Sequence, residues 1–172
     1  MCSSDLPRDL LQALLEARDP QSGSRFSSEE LVDQVCFLFL AGHETSASAL
    51  GMACYLLARF PEAQQRLRQE VQQALAGEPR PLGFDDLKQL PYGTAVFHET
   101  LRLYPPVAFF IREATQDDAL GGSRCPMGAL LTLSPWVIQR HEQHWDDPQE
   151  FRPQRFLAAE STEADRRWAR DA

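Results

Sequence analysis

The sequence has no long hydrophobic run and no basic cluster. Its longest unbroken apolar stretch, residues 49–58, is ten residues long, whereas a membrane-spanning helix needs about 20. The 17 lysines and arginines are outnumbered by 25 acidic residues, which gives a net charge of −8. A chain of this charge has no basic surface with which to track a phosphate backbone. The composition therefore predicts no transmembrane helix in this chain and argues against a nucleic-acid partner.

Cysteines are few and widely separated. The four lie at positions 2, 36, 54 and 125 with no Cys-x-x-Cys pair, so neither a disulfide framework nor a zinc ribbon is indicated. Cys36 and Cys54, if they lie on one helix, are about 27 Å apart along its axis and cannot form a disulfide. The first residues lack the basic start and apolar stretch of a secretory signal. A reducing compartment and a cytoplasmic location are therefore the default expectation.

Three enzyme motifs are also absent. The sequence has no Gly-x-Ser-x-Gly of acyl hydrolases and no Gly-x-Gly-x-x-Gly of dinucleotide-binding folds. His-Glu occurs three times, but the fifth position of the zincin motif His-Glu-x-x-His is Ala47, Arg102 or Trp145. A metal-dependent hydrolase is kept as an alternative because two histidines and two aspartates lie close together in sequence: His141, His144, Asp146 and Asp147.

A long apolar helix is predicted in the first half of the chain. Ser27 and Glu30 form a capping box, and no residue interrupts the helix that follows before Pro61. This helix would be about 32 residues long, and His43 and Glu44 are the strongly polar side chains in its central part. We expect it to be buried on every face. A chain of 172 residues has few segments with which to cover such a helix, so we expect covering segments outside this chain.

The other segments predict shorter elements. Apolar residues at 3–4 spacing indicate helices over residues 9–18, 61–77 and 91–103. After residue 105, short extended segments at 107–111 and 129–133 alternate with glycine and proline turns. The predicted fold class is therefore mainly α with small β elements, and the sequence contains no internal repeat.

A group of polar residues interrupts the long helix. Gly42, Glu44 and Thr45 lie within about one turn of an otherwise apolar rod. Glycine in a helix interior costs about 0.5–1 kcal/mol relative to alanine, and an unpaired buried carboxylate costs more. A flat cofactor lying against Gly42, with Glu44 and Thr45 placed to pass protons, accounts for the group. The alternative is that Gly42 permits close helix packing, Glu44 reaches solvent and Thr45 bonds to a carbonyl one turn earlier.

An acid and an arginine lie on the 91–103 helix. Tyr92, Val96 and Leu103 form an apolar stripe with Glu99 in its middle. A carboxylate there requires a cation, and Arg102 at i+3 can hold it through two parallel hydrogen bonds. Such a pair is commonly exposed. The apolar stripe predicts that this pair is buried.

Three motifs in this order resemble the cytochrome P-450 family. They are Ala-Gly-His-Glu-Thr-Ser at 41–46, Glu-Thr-Leu-Arg at 99–102 and Phe-Arg-Pro-Gln-Arg-Phe at 151–156, and the similarity extends over about residues 9–156. The resemblance implies a partial cytochrome P-450 fold, with residues 1–172 forming one incomplete domain. Its parts would be the long central helix, the Glu-x-x-Arg helix, a short hairpin and the Phe-x-Pro-x-Arg-Phe region. The resemblance also implies a haem-dependent monooxygenase that inserts one oxygen atom from dioxygen into a small apolar substrate. The electrons would come from a redox partner, a ferredoxin or a flavoprotein reductase.

The resemblance assigns roles to individual residues. Glu44 and Thr45 would be the acid-alcohol pair that passes protons to dioxygen. Ala41 and Gly42 would face the haem, and Arg112 would pair with a haem propionate. A buried ion-paired triad would hold the fold beneath the haem: Glu99, Arg102 and Arg155. Four residues would line the substrate pocket: Val107, Ala108, Phe109 and Phe110.

One part of the family pattern is missing from these residues. The family binds its iron through a cysteine in a Phe-x-x-Gly-x-Arg-x-Cys-x-Gly loop, and none of the four cysteines lies in such a loop. The sequence therefore predicts no metal ligand here, and we expect a fragment that is inactive by itself and does not retain haem. The alternative from another class is a non-catalytic α-helical interaction module. It explains the amphipathic helices but not the predicted burial of Glu44 and Glu99.

Overall fold

A computed structural model describes residues 9–76 and 80–162. The elements, in chain order, are α1 (Leu10–Glu16), α2 (Ser28–Arg59), α3 (Pro61–Ala74), a 3-10 helix (Phe84–Gln89), α4 (Pro91–Leu103), β1 (Phe110–Glu113), β2 (Asp118–Leu120), β3 (Ser123–Cys125), β4 (Leu130–Leu133), α5 (Pro135–Ile138) and a second 3-10 helix (Pro153–Phe156). The predicted class, mainly α with small β elements, is confirmed. The chain divides into two compact units, Met1–Ser46 and Ala47–Ala172.

The first unit contains α1 and the beginning of α2. Asp9 caps α1 by accepting a hydrogen bond from the Gln12 amide at 2.8 Å. The predicted capping box of α2 is confirmed, because the Ser27 amide donates to Glu30 Oε2 at 2.8 Å and the Glu30 amide donates to Ser27 Oγ at 3.2 Å. The Ser27 backbone and side chain hold the pKa of the Glu30 carboxyl below its ordinary value. These bonds set where α2 begins.

Helix α2 has the predicted length of 32 residues, but the prediction that it is buried is wrong for this chain. Its buried residues are Ala49 and Leu56, whereas Phe39 and Leu40 are 70% and 69% exposed. The physical reason is that the described elements leave most of this apolar surface without a packing partner. Across the described ranges, no helix combines the length and apolar character needed to cross a bilayer.

The second unit has its core between α3 and α4. Ala63, Tyr92 and Val96 form the buried cluster. The partly buried side chains packed against it are Leu57, Leu67, Phe151 and Leu157. Helix α4 has the predicted bounds and begins at Pro91, whose fixed φ suits the first helical position. The core therefore holds the helix that carries Glu99 and Arg102.

Two small antiparallel sheets follow α4. Strand β1 pairs with β4, with Phe110 opposite Leu133. The predicted strand at 107–111 begins three residues too early, because the Ala108 carbonyl lies outside the ladder and accepts from the Trp136 amide and Ser134 Oγ. The β4 prediction of 129–133 is correct to within one residue.

Strands β2 and β3 form a short hairpin. The predicted fold includes a short hairpin, but no strand was predicted over residues 118–125. Gly121 and Gly122 form its turn with φ of +56° and +81°. Positive φ at both central residues is typical of the tight turns that connect hairpin strands, and glycine adopts it without strain.

Candidate functional site

Glu99 is the centre of a buried ion-paired group in the second unit. Arg102 Nε donates to Glu99 Oε2 at 2.6 Å, and Arg102 Nη2 donates to Glu99 Oε1 at 2.8 Å. Arg155 Nε donates to Glu99 Oε1 at 3.3 Å. The side chain of Arg102 is 1% exposed, and those of Glu99 and Arg155 are 0% exposed. The structure thus brings together the three residues of the predicted triad.

The remaining donors of Arg102 bind backbone carbonyls far along the chain. Nη1 donates to the carbonyls of Gln139 and Pro148, both at 2.8 Å, and Nη2 donates to that of Glu150 at 3.0 Å. The guanidinium carbon also lies 5.0 Å from the centre of the Trp145 ring. One planar guanidinium therefore ties α4 to the segment between α5 and the last 3-10 helix.

Arg155 and its neighbours complete the group from the last motif. Arg155 Nη2 donates to the Asp147 carbonyl at 2.8 Å, and the Arg152 amide donates to Glu99 Oε1 at 2.8 Å. Asp147 has a φ of +46°, a left-handed conformation that aspartate tolerates better than most residues. The third motif contains a short 3-10 helix, Pro153–Phe156, that places Arg155.

The triad is built to hold structure rather than to make or break bonds in a substrate. Within the described part of the chain, Oε1 of Glu99 accepts at least three hydrogen bonds and Oε2 at least one, and the residue is 0% exposed. A carboxylate occupied in this way has no access to an external ligand. Since removing one member of a buried ion pair leaves an uncompensated charge, the contacts are strongly interdependent.

The polar group on α2 lies on the surface of the first unit. Glu44 and Gly42 are exposed, so the predicted burial of Glu44 is wrong. Thr45 Oγ1 donates to the Ala41 carbonyl at 2.7 Å, which is the bond that the structural alternative requires. A Cβ added at Gly42 would meet nothing within 4 Å. Close packing within the described chain therefore does not account for the glycine, and an open side-chain-free surface lies beside Thr45.

Arg112 and the residues predicted to line a pocket lie near and on β1. Arg112 is exposed, with its guanidinium 5.1 Å from the Phe110 ring and Nη1 donating to the Ile111 carbonyl at 3.3 Å. Val107 and Phe109 are 52% and 60% exposed, and Ala108 is half-buried. These side chains form an apolar surface. A depression of about 510 Å³ lies elsewhere, in the first unit, among residues 17–30.

Each unit, taken by itself, has residues that fit part of a haem. In the first unit, the open surface at Gly42 suits a flat apolar face. In the second unit, the exposed Arg112 guanidinium suits a propionate. The iron ligand is not provided, because the cysteine loop of the family is absent from the sequence. Cys36 and Cys54 are exposed thiols on α2, and Cys125 is a buried thiol on β3.

The hydrolase alternative has little geometric support. The rings of His141 and His144 lie 5.4 Å apart. Within residues 9–76 and 80–162, however, no three histidine, cysteine, aspartate or glutamate side chains come together as metal ligands would.

Two side chains from other elements bond the backbone of α4 and were not predicted from the sequence. Glu70 of α3 accepts hydrogen bonds from the amides of Tyr92 and Gly93, both at 2.8 Å. Gln139 lies against the other end of the helix. The sequence indicates the need for Glu70 only indirectly. Leu90, the residue before the helix, has no side-chain group that can cap it, so the first amides of α4 need an acceptor from another element.

Comparison with known proteins gives consistent similarities. The family model described as Cytochrome P450 matches residues 2–168. Cyclooctatin synthase of Streptomyces melanosporofaciens is 41% identical over 159 residues, which are 92% of this chain and 34% of that protein. Cytochrome P450 4V2 of Mus musculus is 34% identical over 159 residues, again 92% of this chain and 30% of that protein. The chain thus spans about a third of the length of these curated relatives.

Solved structures share the fold. The retinoic acid-bound cyanobacterial CYP120A1 superimposes with a TM-score of 0.81 at 36% identity, covering 90% of this chain and 35% of that one. A cytochrome P450, CYP102L1, superimposes with a TM-score of 0.85 at 28% identity, covering 96% of this chain and 37% of that one. With the family match extending over nearly all of the sequence, we conclude that this chain belongs to the cytochrome P450 family.

Proposed function

We propose that this chain is part of a haem-dependent monooxygenase that inserts one oxygen atom from dioxygen into an apolar organic substrate. Membership of the family supports the reaction class. Pentalenene oxygenase of Streptomyces avermitilis and cyclooctat-9-en-7-ol 5-monooxygenase of Streptomyces melanosporofaciens are 40% and 35% identical to the chain. Because the chain spans about a third of such proteins, the activity belongs to a longer protein and the chain alone is inactive.

The observation that carries this proposal is the surface of α2 around Gly42. On an otherwise apolar helix, a position without a side chain adjoins the Thr45 hydroxyl and the exposed Glu44 carboxylate. Haem, when bound, supplies the redox chemistry that activates dioxygen. Ala41 and Gly42 let its flat face approach the helix backbone. Thr45 Oγ1 keeps its proton on the Ala41 carbonyl, and its lone pairs remain free to accept a proton-carrying water or acid.

The polar residues beside Gly42 are suited to delivering protons. Glu44 is the adjacent ionisable side chain, and its exposure leaves it able to exchange protons with solvent. Thr45 would hold a proton-carrying water on its hydroxyl oxygen beside Gly42, where haem, when bound, would supply the chemistry with dioxygen. The two residues therefore have different roles: Glu44 is the proton source and Thr45 fixes the position of the last donor.

The second unit, taken by itself, carries groups suited to a haem propionate and to an apolar substrate. Arg112 provides a cation for a haem propionate, and the apolar side chains at 107–110 provide contact area for an apolar substrate. Electrons come from a redox partner, a ferredoxin or a flavoprotein reductase. Glu99, Arg102 and Arg155 contribute by fixing the backbone of the second unit.

Two measurements test the proposal. A carbon monoxide difference spectrum of the isolated chain mixed with haem should show no haem-thiolate band, and such a band would contradict the assignment of the iron ligand to another segment. The reading frame beyond codon 172 should encode the cysteine loop. If the encoded protein contains no such loop, a non-catalytic helical module becomes the better explanation of this chain.

Substitutions in the longer protein test the proton-relay roles. Thr45→Val and Glu44→Gln should each lower the rate of substrate oxygenation about 100-fold, the usual size of a general-acid contribution. Ser48→Ala, which removes a hydroxyl one turn further along α2, is the matched control and should leave the rate within twofold of the wild type. Unchanged rates in both relay variants would exclude the proposed roles.

A further inference from the structure

Helix α4, which carries Glu99 and Arg102, has no side-chain cap from its N-terminal boundary residue. At its other end the Tyr104 amide donates to the Thr100 carbonyl. The first amides of a helix need acceptors from elsewhere, as do its last carbonyls. Leu90 at the N-terminal boundary makes no side-chain cap bond, and Pro91 removes one amide from the requirement. The helix therefore depends on other parts of the second unit for its polar ends.

Glu70 satisfies the N-terminal end. Its Oε1 accepts from the Tyr92 amide and its Oε2 from the Gly93 amide, each at 2.8 Å. A carboxylate here also interacts favourably with the positive end of the helix dipole. The contact requires a close approach of α3 to α4, and Gly93 leaves room for it. A Cβ at this position would lie 3.2 Å from Leu67 Cδ1 and 3.6 Å from Glu70 Oε2.

Gln139 satisfies the C-terminal end. Its side-chain amide nitrogen, oriented as the hydrogen-bond network requires, donates to the carbonyls of Arg102 at 3.1 Å and Leu101 at 3.3 Å. Its own backbone carbonyl accepts from Arg102 Nη1 at 2.8 Å. Gln139 thus contacts both the backbone and the side chain of Arg102.

We propose that Glu70 and Gln139 are positioning residues that clamp α4 at its two ends and thereby set the geometry of the Glu99 ion pairs. Glu99 must face Arg155 at the same time as Arg102 reaches carbonyls 37 to 48 residues further along the chain. A shift of α4 along its axis or about it would break these bonds together. The clamp holds α4 against both movements, since one contact fixes each end. This inference does not depend on oxygenation, and its test uses no haem.

The test measures hydrogen exchange by NMR in the 172-residue chain. Glu70→Gln keeps the side-chain size but offers one acceptor oxygen in place of a two-oxygen carboxylate. The amides of Tyr92 and Gly93 should exchange about tenfold faster, as expected for loss of a charge-assisted hydrogen bond. The Nε–H of Arg102, about 14 Å away along the helix, should exchange at least about threefold faster because it is coupled to the clamp.

Controls separate positioning from a simple loss of stability. Glu62→Gln removes the same charge from an exposed position on α3 and should change none of these rates. Amides of the β1–β4 ladder serve as the internal reference. A uniform acceleration that includes this ladder would mean general destabilisation and would overturn the proposal. Acceleration confined to Tyr92 and Gly93 would overturn it as well, because Glu70 would then be a local cap.

The other end of the clamp provides a second test that stands if Glu70→Gln fails to fold. Gln139→Ala keeps the backbone carbonyl that accepts from Arg102 but removes the amide that holds the helix end. The Nε–H of Arg102 should again exchange faster than the β1–β4 amides, by about threefold. Unchanged exchange of this group would overturn the proposal.

Discussion

Arg102 Nε lies 2.6 Å from Glu99 Oε2, and both side chains are almost completely removed from solvent. The two residues are one helical turn apart on α4, a spacing at which most ion pairs lie on a protein surface. Here the pair is buried because the same face of α4 also carries two apolar side chains of the core, Tyr92 and Val96. The pair therefore depends on Arg155 and on distant carbonyls to complete its hydrogen bonding.

Glu99→Gln should strongly destabilise the second unit. The substitution leaves the Arg102 and Arg155 guanidiniums buried without a carboxylate, and breaking a buried ion pair in this way costs about 3–5 kcal/mol. Urea denaturation followed by circular dichroism measures the loss. Asp85→Asn is the control, because the Asp85 side chain is 93% exposed in its ion pair with Lys88, and it should change stability by less than about 1 kcal/mol. Equal stabilities of the two variants would contradict the structural role.

Asp86 should make stability depend on acidic pH. Arg80 donates to its carboxylate at 2.6 and 2.8 Å and the Gly83 amide donates at 2.7 Å, which hold the pKa of Asp86 below the ordinary value of 3.8. A lowered pKa in the folded chain means that this stabilisation is fully present above the unfolded-state pKa. It is lost as the pH falls through the folded-state pKa.

The measurement is the free energy of unfolding as a function of pH below 5. Asp86→Asn should flatten the decline in this range relative to the wild type. Asp85→Asn removes the same formal charge from the neighbouring position, and its profile should keep more of the decline than that of Asp86→Asn. Identical profiles for Asp86→Asn and the wild type would show that the Arg80 contact does not stabilise the folded chain.

Gly93→Ala should destabilise the junction of α3 and α4. Alanine favours a helix by about 1 kcal/mol over glycine, but its Cβ would lie 3.2 Å from Leu67 Cδ1. Since Leu67 packs against the core cluster, it has little room to move, and we expect a net loss of about 1 kcal/mol. In a Leu67→Ala background the crowding disappears, and the same substitution should become stabilising. Additive effects in this double-mutant cycle would contradict the contact.

Thiol labelling checks the exposure of α2. Cys36 and Cys54 are exposed, whereas Cys125 is 6% exposed. In the folded chain a maleimide reagent should therefore modify Cys36 and Cys54 rapidly and Cys125 only after unfolding, as peptide mass spectrometry can resolve. Protection of Cys36 and Cys54 would mean that another surface covers α2 in solution.

Local interactions explain which features the sequence predicted well. The capping box of α2 and the Glu99–Arg102 pair rest on contacts three residues apart, whose geometry follows from the helix itself. The start of α4 follows from Pro91, whose fixed φ suits a first helical position. The β1 strand was placed three residues too early, because its true start depends on where the Ala108 carbonyl finds its partners.

The sequence by itself therefore determined helices α1 to α4, the motifs of the family and the pairing of Glu99 with Arg102. The tertiary structure decided the rest: the approach of Arg155 across 56 residues, the capping of α4 by Glu70 across 22, and the exposure of α2. The physical reason is separation along the chain. A periodic pattern records which face of an element is apolar, but only packing determines which distant group meets that face and whether any group in the chain does so.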